Sequence, residues 1–127
     1  MKREIIQTEE APRSVLYSQG IRAGRTIYVS GMAGIDVTTQ RPAGPTIQEQ
    51  TRQALRNCEA VLRAGGASLA DVVEVQGLLA RPEDFSGFNE AYAEIFSASP
   101  PARSVARLGP ELPGLLVSVR LTAVIAG

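Results

Sequence analysis

The 127-residue chain contains no histidine. That removes the commonest general base and the commonest metal ligand, and with them Ser–His–Asp hydrolysis, Cys–His chemistry and histidine-based metal sites. Its one cysteine, Cys58, permits neither an intrachain disulfide nor a cysteine cluster for zinc. Tryptophan is absent, and the aromatics are three tyrosines and three phenylalanines. Charge of neither sign dominates. Thirteen basic residues balance thirteen acidic ones, so no global field draws in nucleic acid or an anionic membrane. No apolar run approaches the ~20 residues that span a bilayer. The opening MKREIIQTEE lacks the apolar core of a signal peptide, so the expected location is cytoplasmic. Catalysis is left to Arg, Lys, Tyr, Asp, Glu, Ser, Thr, Asn and backbone groups, or to a cysteine acting alone.

What is present is ordinary for one globular domain covering residues 1–127, with 44% hydrophobic and 20% charged residues. REIIQT (3–8) reads as a first strand. GIRAGRTIYVSG (20–31) holds a turn at AGR and a strand from Thr26 to Ser30, while GIDVTTQRPAG (34–44) reads as loop. Thr46 and Glu49 form the capping-box pattern T-x-x-E. The helix that follows places Ile47, Thr51, Ala54, Leu55, Cys58, Val61 and Leu62 on one face and stops at Gly65-Gly66. Cys58 on that stripe is expected to be a packed hydrophobe.

DVVEVQGLLA (71–80) is a strand. Pro82 opens a second helix whose apolar face is Phe85, Phe88, Tyr92, Ile95 and Phe96. Asn89 falls on or beside that face, where its amide needs partners. It is free either to tie down a backbone segment or to serve a site. ARSVARL (102–108) and LLVSVRLTAVIA (115–126) close the chain as strands. In the last, Leu115, Val117, Val119, Leu121, Ala123 and Ile125 face one way and Ser118, Arg120 and Thr122 the other. The order β-β-α-β-α-β-β is an α+β fold with two helices covering one face of a sheet. A half-polar face left uncovered points to a subunit interface.

Within SPPARSVARLGP (99–110), two prolines stiffen the entry to a strand and Arg103 emerges from that corner. Its guanidinium is a permanent planar fork for carboxylate or phosphate. The sequence leaves two roles open, an anion-holding group or a partner in an internal salt bridge. Arg107, on the same strand and the same side, reads as a structural or interface ion-pair partner.

VLYSQGIRAGRTIYVSGMAG, DFSGFNEAYAEIF and PPARSVARLGPELPGLLVSVRLTAV together resemble the Rid family, the reactive-intermediate deaminases also called YjgF. The resemblance runs from about residue 11 to residue 126. It implies a homotrimer of chorismate-mutase-like α+β subunits with three clefts at the subunit interfaces. It also implies cofactor-free hydrolysis of enamines and imines such as 2-aminoacrylate to a 2-keto acid and ammonia. The family's carboxylate-gripping arginine matches Arg103, its tyrosine Tyr17, its strand-ending pair Ser30 and Gly31, and its asparagine Asn89. The resemblance also implies that backbone groups around Val105 line the cleft. An imine already reacts with water, so orienting the acid and placing a water suffices, which is chemistry open to a chain without histidine.

The sequence also departs from the family. Where deaminase members commonly carry a glutamate on the last strand, fifteen residues beyond the arginine, this chain has Ser118. The next position on that face is Arg120, which either neutralises an acid across an interface or extends the anion site. The position after the Ser-Gly pair, often glutamine, is Met32. Tyr17 has the alternative role of capping a backbone group. Two further functions are compatible with the resemblance. One is a non-catalytic carboxylate-binding or regulatory trimer. The other is endoribonuclease or translation-inhibitor activity, against which the neutral charge and few aromatics count. Chorismate mutase activity is a fold analogy only.

Overall fold

The computed structural model describes residues 2–126. Strands β1 (Arg3–Ile6), β2 (Gly20–Ala23) and β3 (Thr26–Ala33) are followed by a two-stranded ribbon, β4 (Ile35–Asp36) and β5 (Arg41–Pro42). Helix α1 (Ile47–Ala64), β6 (Val72–Leu79), α2 (Phe85–Ile95), β7 (Ala102–Arg107) and β8 (Val117–Val124) complete the chain. The main sheet has six strands in the order β1-β2-β3-β8-β6-β7. Only β6 and β7 run parallel; the other neighbours are antiparallel. Both helices lie on one face, as the alternation of β8 requires: Val117, Val119, Leu121 and Ala123 are buried beneath them.

The sequence reading missed two features. GIRA is a true strand because the two-residue turn Gly24-Arg25 folds it onto β3, with Ala23 paired to Thr26. Gly24 supplies the positive φ, +63°, that such a turn needs at its first position. The stretch read as loop contains the ribbon β4–β5, whose two strands are only two residues each.

Helix α1 begins as expected. Thr46 Oγ1 accepts from the Glu49 backbone N–H at 3.2 Å, and the Glu49 carboxylate accepts from the Thr46 N–H at 3.3 Å. All seven residues of the expected face are buried, but so are Gln50 and Asn57. Gln50 donates to the carbonyls of Gly44 and Gly114, each at 2.9 Å, and accepts from the Leu116 N–H at 2.8 Å. This is why β8 starts at Val117 rather than Leu115: the Leu116 N–H is taken by a helix side chain instead of a neighbouring strand.

Cys58 is fully buried, its Sγ 3.5 Å from the Val119 carbonyl oxygen, and burial pushes its thiol up to about 12. Because the folded value is raised, the stability it protects is intact below the unfolded thiol value and is lost as pH rises through the window from ~9 to about 12. In that window the slope is about 1.4 kcal/mol per pH unit. We expect urea midpoints of the wild type to fall more steeply between pH 9 and 11 than those of Cys58→Ala. Equal slopes would show that the thiol is not enclosed.

Helix α2 is preceded by a 3-10 turn at Pro82–Asp84, where the Arg81 guanidinium grips the Asp84 carboxylate through contacts of 2.9 and 3.0 Å. Phe88 and Tyr92 are buried as expected and Ala91 joins them, whereas Phe85 is 47% exposed at the first position of the helix. Facing the other way, the second face of the sheet stays uncovered. It presents Tyr28 and Val124 at half exposure beside Ser118, Arg120 and Thr122.

A candidate active site split between two faces of the sheet

Arg103 lies on the edge strand β7, in register with Val75 of β6, which in turn pairs with Leu121 of β8. Val75 and Leu121 face the helices, so the Arg103 side chain reaches toward α2. Phe85, Phe88, Asn89 and Tyr92 stand three, four and seven residues apart there, on one stripe of the helix. The guanidinium carbon is 4.9 Å from the ring centre of Tyr92, 5.7 Å from Phe88 and 5.9 Å from Phe85. Arg103 Nη1 donates to Asn89 Oδ1 at 2.7 Å.

Asn89 thus ties the arginine and not a backbone segment. The other role open to Arg103 is not filled within the chain, since among the described residues no carboxylate pairs with it. The ion pairs are Arg52–Glu94, Arg63–Glu59 and Arg81–Asp84. Rings on one side and an amide at one nitrogen fix the plane of the fork and leave its remaining N–H groups for a ligand. Burial raises the Tyr92 phenol above its ordinary range, with Arg103 acting in the opposite sense. That hydroxyl is buried without a hydrogen-bond partner.

Tyr17, Gly31 and Ser118 come together elsewhere, around a cavity of about 210 Å³ that Leu108 and Leu112 also line. Gly31 falls where the pairing of β3 with β8 shifts between Val29 and Met32. A Cβ at Gly31 would lie 2.9 Å from Ser118 Oγ, so only glycine keeps the serine hydroxyl accessible there. The Tyr17 loop is built from below. Ser30 Oγ donates to the Ser18 carbonyl at 2.5 Å, and the Ser30 N–H donates to the Gln19 carbonyl at 2.9 Å. Gln19, 3% exposed, accepts from the Thr8 N–H and donates to the carbonyls of Thr8, Ala11 and Pro12. Ser30 is therefore a support for the loop, and Tyr17 stands half-exposed with no hydrogen bond to the described residues. Sequence reasoning missed Gln19; the signal was a glutamine between Ser18 and the close-packed Gly20.

The two clusters do not meet within one chain. Ser118 pairs with Leu78 and points to the uncovered face, opposite Arg103. Two strand spacings and three residues along the strand separate them, roughly 10 Å in each direction. Val105 shares the Arg103 side of β7, facing Gly77. Met32 is 1% exposed and belongs to the core, so it offers no polar group in place of glutamine. Arg120 Nε donates to Gln76 Oε1 at 3.1 Å on the uncovered face, and neither Arg120 nor Arg107 has a carboxylate partner among the described residues. No helix among the described residues is long and apolar enough to cross a membrane.

The α+β scaffold thus carries an edge arginine on an aromatic stripe and, on the opposite face of its two-helix sheet, a serine–glycine–tyrosine cavity. The family model described as Endoribonuclease L-PSP matches residues 8–125. The chain belongs to this family, which is the Rid or YjgF family. It is 45% identical over 102 residues to a RutC family protein of Saccharolobus solfataricus, covering 80% of this chain and 81% of that one. It is 35% identical to the 2-iminobutanoate/2-iminopropanoate deaminase of Mus musculus, over 96% of this chain and 91% of the relative. The crystal structure of RidA from the Antarctic bacterium Psychrobacter sp. PAMC 21119 superposes with a TM-score of 0.89 at 32% identity. That match covers 96% of this chain and 99% of RidA.

Proposed function

We propose that the protein hydrolyses 2-enamine and 2-imine acids of the 2-aminoacrylate and 2-iminopropionate type to 2-keto acids and ammonia, in clefts between the subunits of a homotrimer. The observation that carries this reading is the Arg103 fork, held by Asn89 and three rings with no carboxylate partner among the described residues. The names of relatives such as the mouse deaminase support it. Uniting Arg103 with Tyr17, Gly31 and Ser118 requires a second copy. The exposed Ile5, Tyr28, Val73 and Val124, with Val15 and Leu16 beside Tyr17, are apolar surface suited to association.

Arg103 of one copy binds the substrate carboxylate. A water held by Ser118 Oγ of the other attacks the imine carbon, forming the C–O bond as the C=N π bond breaks and one of the water's protons passes to the nitrogen. The carbinolamine collapses: its hydroxyl proton passes to the nitrogen, the oxygen pair forms the C=O bond, and ammonia leaves with the C–N bonding pair. Serine orients this water without removing its proton, because its hydroxyl stays un-ionised at neutral pH. The intrinsic electrophilicity of the imine supplies the rest.

The test is ammonia and keto-acid release from alanine-derived imine made in situ by an amino-acid oxidase, with molecular mass measured alongside. We expect a trimer that accelerates release, and a roughly tenfold lower kcat with little change in KM for Ser118→Ala, the effect of losing one hydrogen bond to the attacking water. A trimer that leaves imine decay unchanged would sink the deaminase assignment. A second reading, carboxylate binding without turnover, is favoured by one feature: among the described residues no carboxylate or histidine lines the cavity around Ser118. In that case keto acids bind through Arg103 while imine decay is untouched. Nuclease activity has no general base to rest on beyond carboxylates and tyrosines. RNA binding that falls steeply with salt is the result that would restore it.

A further inference from the structure

Beside Arg103 lies a cavity of about 390 Å³ between β7 and the start of α2, lined by Leu79, Pro82, Phe85, Val105, Ala106 and Arg107. Apart from the Arg107 head group, its walls are apolar. Phe85 joins it to the arginine, because the same ring lies 5.9 Å from the Arg103 guanidinium carbon. Val105 is two residues further along β7 on the same side, about 7 Å away. The Arg107 side chain closes the far end, where its aliphatic stem offers apolar contact and its charge reaches solvent.

We infer that this cavity is the subsite for the substrate side chain, and that it selects 2-imino acids with branched aliphatic or aromatic side chains over those with a methyl group. The inference rests on the imine reading of Arg103. With the carboxylate fixed by the guanidinium, each bond of an extended side chain advances about 1.3 Å. A methyl group ends beside the arginine. An isobutyl or benzyl group reaches the Phe85 ring and Val105 and fills apolar space that a methyl leaves to water. One methylene in an apolar pocket discriminates about tenfold or more, so even an open cavity sets a measurable order.

The experiment compares kcat/KM for imines generated from alanine, leucine and phenylalanine, using wild type, Val105→Ala and Val105→Phe. It also measures dissociation constants for pyruvate, 4-methyl-2-oxopentanoate and phenylpyruvate, and the mass of each variant. The wild type should favour the leucine-derived over the alanine-derived imine at least ~10-fold. Val105→Phe should lower that ratio about tenfold, and Val105→Ala should shift preference toward the phenylalanine-derived imine. A wild-type ratio near one, or a ratio unmoved by both variants, overturns the subsite while leaving the deaminase intact. Absence of turnover with keto-acid affinities that follow size and respond to Val105 overturns the deaminase and upholds the subsite. Neither turnover nor binding overturns both. A flat size series together with altered subunit association in the variants also overturns it, and would show that a neighbouring copy fills the cavity.

Discussion

Arg103→Ala should lose the ability to hydrolyse 2-imino acids while keeping its fold and mass. The guanidinium makes one hydrogen bond to Asn89 and stacks over three rings, but no strand pairing depends on it. Its removal from an edge strand therefore leaves the sheet intact. A charge-assisted bidentate contact to a carboxylate is worth about 2–4 kcal/mol when one partner is truncated. That corresponds to a fall in kcat/KM of roughly 30- to 1,000-fold. Arg103→Lys should recover only a small part, because an ammonium is a point charge that cannot present two parallel N–H groups in the plane the rings define. The measurement is keto-acid release from alanine-derived imine, with keto-acid binding as a second readout. Activity in Arg103→Ala within threefold of wild type would remove Arg103 from the site and with it the function proposed above.

Phe88→Ala should be among the most destabilising single substitutions outside the sheet. Phe88 is fully buried, and its ring lies in the space over Gly77, where a Cβ would sit 2.6 Å from the ring's Cζ atom. Its centroid is 5.8 Å from that of Tyr92, which continues 4.9 Å on to Phe96. Truncation opens a void between α2 and β6 that rigid backbone on both sides keeps from collapsing. The expected cost is about 3–5 kcal/mol, read from the shift in urea midpoint at constant m-value. Phe88→Leu should cost much less, since it keeps most of the buried volume. Because the same ring is one of three under Arg103, Phe88→Leu should also raise the dissociation constant for keto acids at unchanged fold. A loss below 1 kcal/mol for the alanine variant would show that α2 is not packed on β6 as described.

Helix α1 shows where the limits of sequence reading lie. Its cap, its stop and its seven-residue face are all written locally, in side chains that satisfy orphan backbone donors and in a 3.6-residue period. Gln50 and Asn57 share that stripe, seven residues apart, and were passed over because polar residues are usually solvated. Both are almost fully buried, since their amides satisfy backbone groups of distant loops. Asn57 Nδ2 donates to the carbonyls of Ala33 and Ile35 at 3.0 and 2.9 Å. Nothing near Asn57 in the chain announces those partners. The strand GIRA was missed for a related reason: four residues carry little periodicity, and pairing on both sides makes them a strand.

The amino-acid sequence by itself determined the chemistry available and the two-helix α+β architecture, which depend on residue identity and local period, while the candidate site residues came from the family resemblance. The tertiary structure alone decided how those residues are grouped. Strand register placed Arg103 and Ser118 on opposite faces, and the α2 stripe gave Arg103 its aromatic and amide supports. Register is set by pairing between segments far apart in sequence, and a side chain's face changes with every single-residue slip. The alternation of β8 does put Ser118 on the uncovered face, but no local pattern in β7 says which face Arg103 takes.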